Sequence, residues 1–134
     1  MTWKSSVLVV ANQTADSDEL VRALTDRAGR GPTEFTLLLP AQPGATRADS
    51  ERRLDDAVGR LRGGGLEAHG VIGDCNPVVA VKETWDPAKF DEILVSTLPT
   101  GTSKWLQIDL PHQVERMTGV HVTHVVGSAR AGVA

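Results

Sequence analysis

The residues best suited to chemistry lie in one loop, residues 97–104, which follows a run of apolar residues. Hydroxyl groups and an ammonium can donate hydrogen bonds to phosphate or another oxyanion, and a glycine lets the backbone approach it. The pattern therefore predicts a small anionic ligand, with a plain polar surface turn as the alternative. The candidate residues are Thr97, Pro99, Gly101, Thr102, Ser103, Lys104 and, just inside the next predicted helix, His112. For His112 a surface position on that helix is slightly favoured.

No catalytic or metal-binding set can be assembled by motif. The patterns G-x-G-x-x-G, G-x-x-x-x-G-K-[ST] and G-x-S-x-G are all absent. His121 and His124 stand three apart on a predicted strand, so they face opposite sides and cannot share a metal. Cys75 lies before a predicted helix, but no histidine is evident to activate it. We therefore predict no catalytic residue and no metal, and nothing in the chain demands an enzyme.

Apolar patterning divides the chain into alternating strands and helices. Continuous Val- and Leu-rich runs bounded by polar residues are typical of strands buried in a parallel sheet. The predicted strands are residues 6–11, 34–39, 67–72, 90–96 and 120–126. The predicted helices begin near Asp16 and run to Gly29, then cover residues 49–62, 77–85 and 111–118. Three glycines at 63–65 follow a helix and precede a strand, so they are read as a helix end and not as a phosphate cradle.

Strands that recur with helices between them indicate βαβ units. We expect a three-layer α/β/α fold, a flavodoxin-like or Rossmann-like doubly wound sheet of five parallel strands. If the strand order is 3-2-1-4-5, it reverses between strands one and four. In such a sheet, ligands bind beyond the carboxyl ends of the strands where the strand order reverses. The loop of Asn12 and Gln13 would meet residues 97–104 there, so both belong to the predicted site. One domain over residues 1–127 is expected, with a flexible tail at 128–134.

Composition narrows the classes of function. The chain has 134 residues, a net charge of −3 and one cysteine. This balance gives no electrostatic case for binding nucleic acid. The apolar run at residues 7–11 is too short for a signal peptide or a membrane span. The sequence therefore predicts a soluble cytoplasmic protein with no membrane or nucleic-acid partner.

The chain resembles the universal stress protein family over essentially its whole length. The resemblance rests on VLVVAN entering a capped helix, on DEILVST followed by a glycine-containing loop, and on a closing Val-rich strand. It implies the 3-2-1-4-5 sheet of adenine nucleotide alpha hydrolase-like proteins and a homodimer through strand five. It also implies ligand binding or regulation more than catalysis.

The family's ATP motif is not intact in this chain. Asn12 stands where the family usually has an aspartate that meets adenine, Gly101 is the only glycine of the loop, and Pro111 and His112 replace the G-[ST] pair. The resemblance is therefore to a divergent, actinobacterial-type branch. The cofactor stays open, with an ATP- or AMP-type nucleotide as the candidate.

Three functions follow as hypotheses. The first is a non-catalytic stress-type protein that binds a small anionic ligand or nucleotide where strands one and four meet. The second is a dimeric interaction module without a ligand, which pairs through strand five. The third is a small nucleotide hydrolase or transferase, for which the sequence offers no assignable base.

Overall fold

The computed structural model describes residues 4–99 and 103–127, which form a five-stranded parallel sheet with helices on both faces. The strand order is β3-β2-β1-β4-β5, so the predicted fold class is confirmed. The strands are β1 Ser5–Val10, β2 Thr33–Pro40, β3 Glu67–Gly73, β4 Glu92–Thr97 and β5 Val122–Val126. The helices are α1 Asp18–Ala28, α2 Arg47–Gly63, α3 Pro77–Thr84, α4 Lys104–Gln107 and α5 Leu110–Thr118.

The core lies in two layers because β1, at the centre of the sheet, is buried on both faces. Val7 to Val10 are almost fully inaccessible to solvent. Val7 and Val9 pack with α1 and α2, including Leu20 and Leu61. Leu8 and Val10 pack on the other face with α3 and α5, including Val81 and Val114. This explains why β1 reads as a continuous apolar run rather than an alternating one.

Two helices begin at other residues than the sequence pattern indicated. The N-cap of α1 is Ser17, whose hydroxyl accepts a hydrogen bond from Leu20 N at 3.1 Å, and not the predicted Asp16. Asp49, which the sequence pattern places first in α2, is instead the third residue of the helix and forms a capping box with the N-cap residue Thr46. In both cases several capping residue types stand close together, and only the backbone path decides which one caps.

The predicted cap of α3 and the ends of α2 and α5 are confirmed. Asn76 caps α3 by accepting from Val78 N at 3.0 Å, with Pro77 at the first helical position. Gly64 ends α2, and Gly65 follows with φ +88°. Gly119 ends α5 in the left-handed region at φ +75°.

The region around the predicted ligand loop differs most from expectation. Ser103 caps α4, a single-turn helix that the sequence pattern missed because one turn is too short for periodicity.

Strand β4 begins at Glu92 and not at 90, since Phe90 N still donates to Asp86 O at 2.9 Å in a turn. Strand β5 begins at Val122 and not at 120, because Val120 N donates at 3.4 Å to the Thr118 hydroxyl. The predicted tail, 128–134, lies outside the described residues.

Within residues 4–99 and 103–127, no helix combines the length and apolar character that crossing a membrane requires.

Candidate functional site

A cleft of about 580 Å³ lies across the carboxyl ends of β1 to β4. One side is built by the segments after β1 and β2 and is lined by Asn12, Gln13, Ala41, Gln42 and Pro43. The opposite side comes from β4 and α4 and is lined mainly by Ser96, Thr97, Ser103, Lys104 and Trp105. Cys75 and Pro77, after β3, line the cleft as well. Amides and small apolar groups thus line one side, and hydroxyls, an ammonium and the apolar residues Leu98, Trp105 and Ile108 line the other.

The loop after β1 is held rigidly at the base of the cleft. Asn12 O accepts from Ala15 N at 3.2 Å, and Thr14 O accepts from Ser17 N at 3.0 Å. Arg53 of α2 donates from one terminal nitrogen to both Asn12 O and Asn12 Oδ1, each at 3.0 Å. These bonds fix the backbone and the side chain of Asn12 together.

A buried hydroxyl pair connects the loop that follows β1 to the end of β4. Thr14 Oγ1 and Ser96 Oγ lie 2.5 Å apart, and both residues are almost fully buried. Each hydroxyl can donate and accept, so the pair is satisfied without water. The loop after β1 is therefore in direct contact with the carboxyl end of β4.

On the β4 side, Thr97 lines the cleft and also contacts β5. Its hydroxyl donates to Leu98 O at 2.9 Å and so accepts from Nε2 of His124 at 2.7 Å, which assigns that nitrogen the proton. Partial burial of the imidazole lowers the pKa of His124 below its ordinary value of 6.5. The ring is thus mainly neutral at pH 7.

The remaining predicted site residues divide into three groups. Ser103 and Lys104 line the cleft; Ser103 is buried and its hydroxyl accepts from Leu106 N at 3.2 Å, whereas Lys104 is exposed. Pro99 and His112 are not part of its lining, and His112 Nδ1 instead lies 2.9 Å from Asp109 Oδ2 on the surface. Gly101 and Thr102 lie outside the described residues.

The sequence did not reveal most of the residues after β2 and β3 that line the cleft, and it did not reveal the role of Arg53. Ala41 and Pro43 carry no functional group, so no motif could single them out. Arg53 is one of several charged residues in α2, and nothing in the sequence around it sets it apart. Its contact with Asn12 joins residues 41 positions apart, and only the packing of α2 on the sheet shows it.

A second group of polar side chains lies at the β3 edge, away from the cleft. Ligand atoms of Glu34, Glu67 and His69 are within 4.8 Å of one another. The Lys4 ammonium donates to Glu67 at 2.9 Å and lowers the pKa of that carboxyl. Because Lys4 already supplies the compensating charge, this group is explained as an exposed ion-pair cluster.

Comparison with known proteins finds similarity at the level of structure. No family model and no curated protein sequence matches the chain. One solved structure, a universal stress protein in complex with cAMP, is 25% identical with a TM-score of 0.56, over 96% of this chain and 100% of that one. A universal stress protein from Archaeoglobus fulgidus is 15% identical with a TM-score of 0.64, over 90% and 93% of the two chains. The resemblance to universal stress proteins that the sequence predicts is thus confirmed, and the chain has their fold.

Proposed function

We propose that this chain is a non-catalytic, cytoplasmic stress-type protein that binds a nucleotide in the cleft at the ends of β1 to β4. The observation that carries the proposal is the division of the cleft into two chemically different sides. Amides and small apolar groups around Asn12 and Pro43 suit a base, whereas Lys104 and the Ser103 hydroxyl, which can still donate, suit a phosphate. The similar universal stress protein that was solved with cAMP supports the same ligand class.

The size and the ionisable groups of the cleft favour binding over hydrolysis. Its volume of about 580 Å³ lies within the usual range for small-molecule sites. Among the described residues that line it, the titratable side chains are Cys75 and Lys104. Neither a carboxylate nor an imidazole is placed there to act as a general base. A hydrolase or transferase is therefore the weaker alternative.

Removing the ammonium of Lys104 tests the proposal. We expect wild-type protein to bind nucleoside 5′-phosphates or the cyclic nucleotide cAMP in isothermal titration calorimetry. Lys104→Ala should weaken binding roughly ten- to hundredfold, because a hydrogen bond to a charged group contributes about 1.5–3 kcal/mol. Lys82→Ala, which removes an exposed lysine of α3 away from the cleft, is the matched control. No binding of any nucleotide by wild-type protein would reject the proposed function.

A second proposal, a homodimer, is favoured by the outer edge of β5. Gly127 N donates to Thr97 O of β4 at 2.9 Å, so alternation directs the N–H groups of Val126 and His124 away from the sheet. The Glu115 carboxylate already accepts from Val122 N at 3.3 Å. The edge beyond Val122 has no further strand beside it among the described residues, and Val126 is 46% exposed. A second copy of this strand fits such an edge.

A further inference from the structure

The contact between Arg53 and Asn12 determines which atom of the Asn12 amide is available to a ligand. A guanidinium only donates hydrogen bonds, so the side-chain atom that it contacts at 3.0 Å must be the amide oxygen. The amide nitrogen is then the free end of the side chain. Within the described part of the chain, no group accepts a hydrogen bond from it.

The orientation is held firmly because Arg53 also binds the backbone of the same residue. One terminal nitrogen of Arg53 contacts Asn12 O and Asn12 Oδ1 at equal distances of 3.0 Å. Rotating the amide by half a turn would place its N–H₂ group against the guanidinium. Two donors would then face each other, which removes one hydrogen bond and adds repulsion.

An asparagine that reads adenine uses both ends of its amide. The oxygen accepts from the 6-amino group and the nitrogen donates to a ring nitrogen. In this chain the oxygen is already engaged by a cation, and the end that remains is a donor. Adenine offers such a donor only N7, beside a 6-amino group that donates as well, whereas a 6-oxo purine offers two adjacent acceptors, O6 and N7. A 6-oxo purine therefore matches the donor better. Gln13 and Gln42 also line the cleft, but a free amide serves a donor or an acceptor equally well.

We infer that Arg53 is a positioning residue that makes Asn12 a hydrogen-bond donor to the cleft, so that the site prefers a 6-oxo purine nucleotide to a 6-amino one. The inference rests on the proposed function and adds the class of base. Arg53 itself need not touch the ligand, since it acts through the orientation of Asn12.

The test compares two nucleotides with the same sugar and phosphate, 5′-IMP and 5′-AMP, by isothermal titration calorimetry. We expect wild-type protein to bind IMP roughly two- to tenfold more tightly, which is the worth of one neutral hydrogen bond. Arg53→Met keeps the aliphatic stem but frees the amide to rotate, so it should remove the preference. Arg52→Met, on the exposed neighbour, is the matched control and should retain it. Thermal melts establish that each variant is folded.

A second variant tests the inference even if Arg53→Met does not fold. Asn12→Asp preserves the acceptor for Arg53 but offers the ligand no donor, so it should reverse the preference toward AMP. Equal binding of both nucleotides by wild-type protein, or tighter binding of AMP, would overturn the inference and leave the proposed function standing. A preference that survives Arg53→Met would reject the positioning role. Binding of neither nucleotide would reject the proposed function and the inference with it.

Discussion

At the scale of single residues, two glycines show how differently this chain tolerates one added methyl group. A Cβ built on Gly73, at the end of β3, would lie 2.8 Å from Ala80 Cβ and 2.8 Å from Leu38 Cδ1. Ala80 is fully buried on α3 and cannot move without its helix. A Cβ on Gly59, in the middle of α2, would meet no atom within 4 Å. Gly73 is thus required by close packing of α3, whereas Gly59 is not.

Gly73→Ala and Gly59→Ala should therefore change stability in opposite directions. The first overpacks the contact with α3 and should lower the free energy of unfolding by about 1–3 kcal/mol. The second improves helix propensity and should raise it by about 0.5–1 kcal/mol. Urea denaturation monitored by circular dichroism measures both. If Gly73→Ala were as stable as wild-type protein, the close approach of α3 to β3 would be wrong.

At the scale of elements, an ion pair connects the end of α1 to the start of β4. Arg27 Nε donates to both carboxylate oxygens of Glu92, each at 3.1 Å, and its terminal nitrogen also contacts this carboxylate. Arg27 also donates to the Thr33 hydroxyl of β2 at 3.3 Å. The guanidinium lowers the pKa of Glu92 below its ordinary value of 4.5. One side chain thus joins three elements.

The sign of the pH dependence follows from that lowered pKa. The unfolded chain binds a proton at Glu92 near pH 4.5, whereas the folded protein binds it only at lower pH. The pair therefore stabilises the fold above pH 4.5, and its contribution is lost as the pH falls through the lowered pKa. Because the Glu92 side chain is 40% exposed, solvent screening limits the contribution at neutral pH to about 0.5–1 kcal/mol.

Glu92→Gln should lose this amount at pH 7 and should show a shallower loss of stability on acidification than wild-type protein. Urea denaturation at a series of pH values from neutral to acid measures both effects. Glu83→Gln, which changes an exposed carboxylate on α3, is the control and should follow the wild-type curve. Parallel curves for Glu92→Gln and wild-type protein would show that the pair carries no pH-dependent stability.

Element types could be predicted from the sequence much better than element ends. The inward stripe of Leu54, Ala57, Val58 and Leu61 in α2 is set by local periodicity, and the structure buries all four residues. The cap of α1 was misplaced because Asp16, Ser17 and Asp18 are all capping residue types. One-turn α4 leaves too few residues for any period to be seen. Ends depend on the backbone path, which packing decides.

At the scale of the whole molecule, the strand order could be predicted but the composition of the cleft only in part. Alternating strands and helices restrict the topology to a few solutions, and the meeting of the loops after β1 and β4 follows from it. Ala41 and Pro43 were missed because they carry no functional group, and Arg53 was missed because it contacts Asn12 only through long-range packing. The proposed preference of the cleft for one class of base rests on the contact between Arg53 and Asn12 and not on a motif.

The outer edge of β5 makes a prediction about assembly. If a second copy pairs there, Val126→Lys should convert a dimer to a monomer, since a charge on an edge strand disfavours pairing. Val79→Lys is the matched control, because Val79 is a comparably exposed valine on α3. Analytical ultracentrifugation over a range of protein concentrations measures the result. A wild-type monomer throughout that range would reject the homodimer. If the Val126→Lys variant is still a dimer, the interface of the dimer does not lie at the outer edge of β5.

The central place of β1 also has a consequence for synthesis on the ribosome. This strand is made before the other four, yet it needs β2 on one side and β4 on the other. Between them, Ser6 and Asp91 exchange backbone and side-chain hydrogen bonds of 2.8 Å across 85 positions of the chain. A nascent chain therefore carries an apolar strand with one open edge until β4 leaves the exit tunnel. We expect the chain to be most prone to aggregation during that interval.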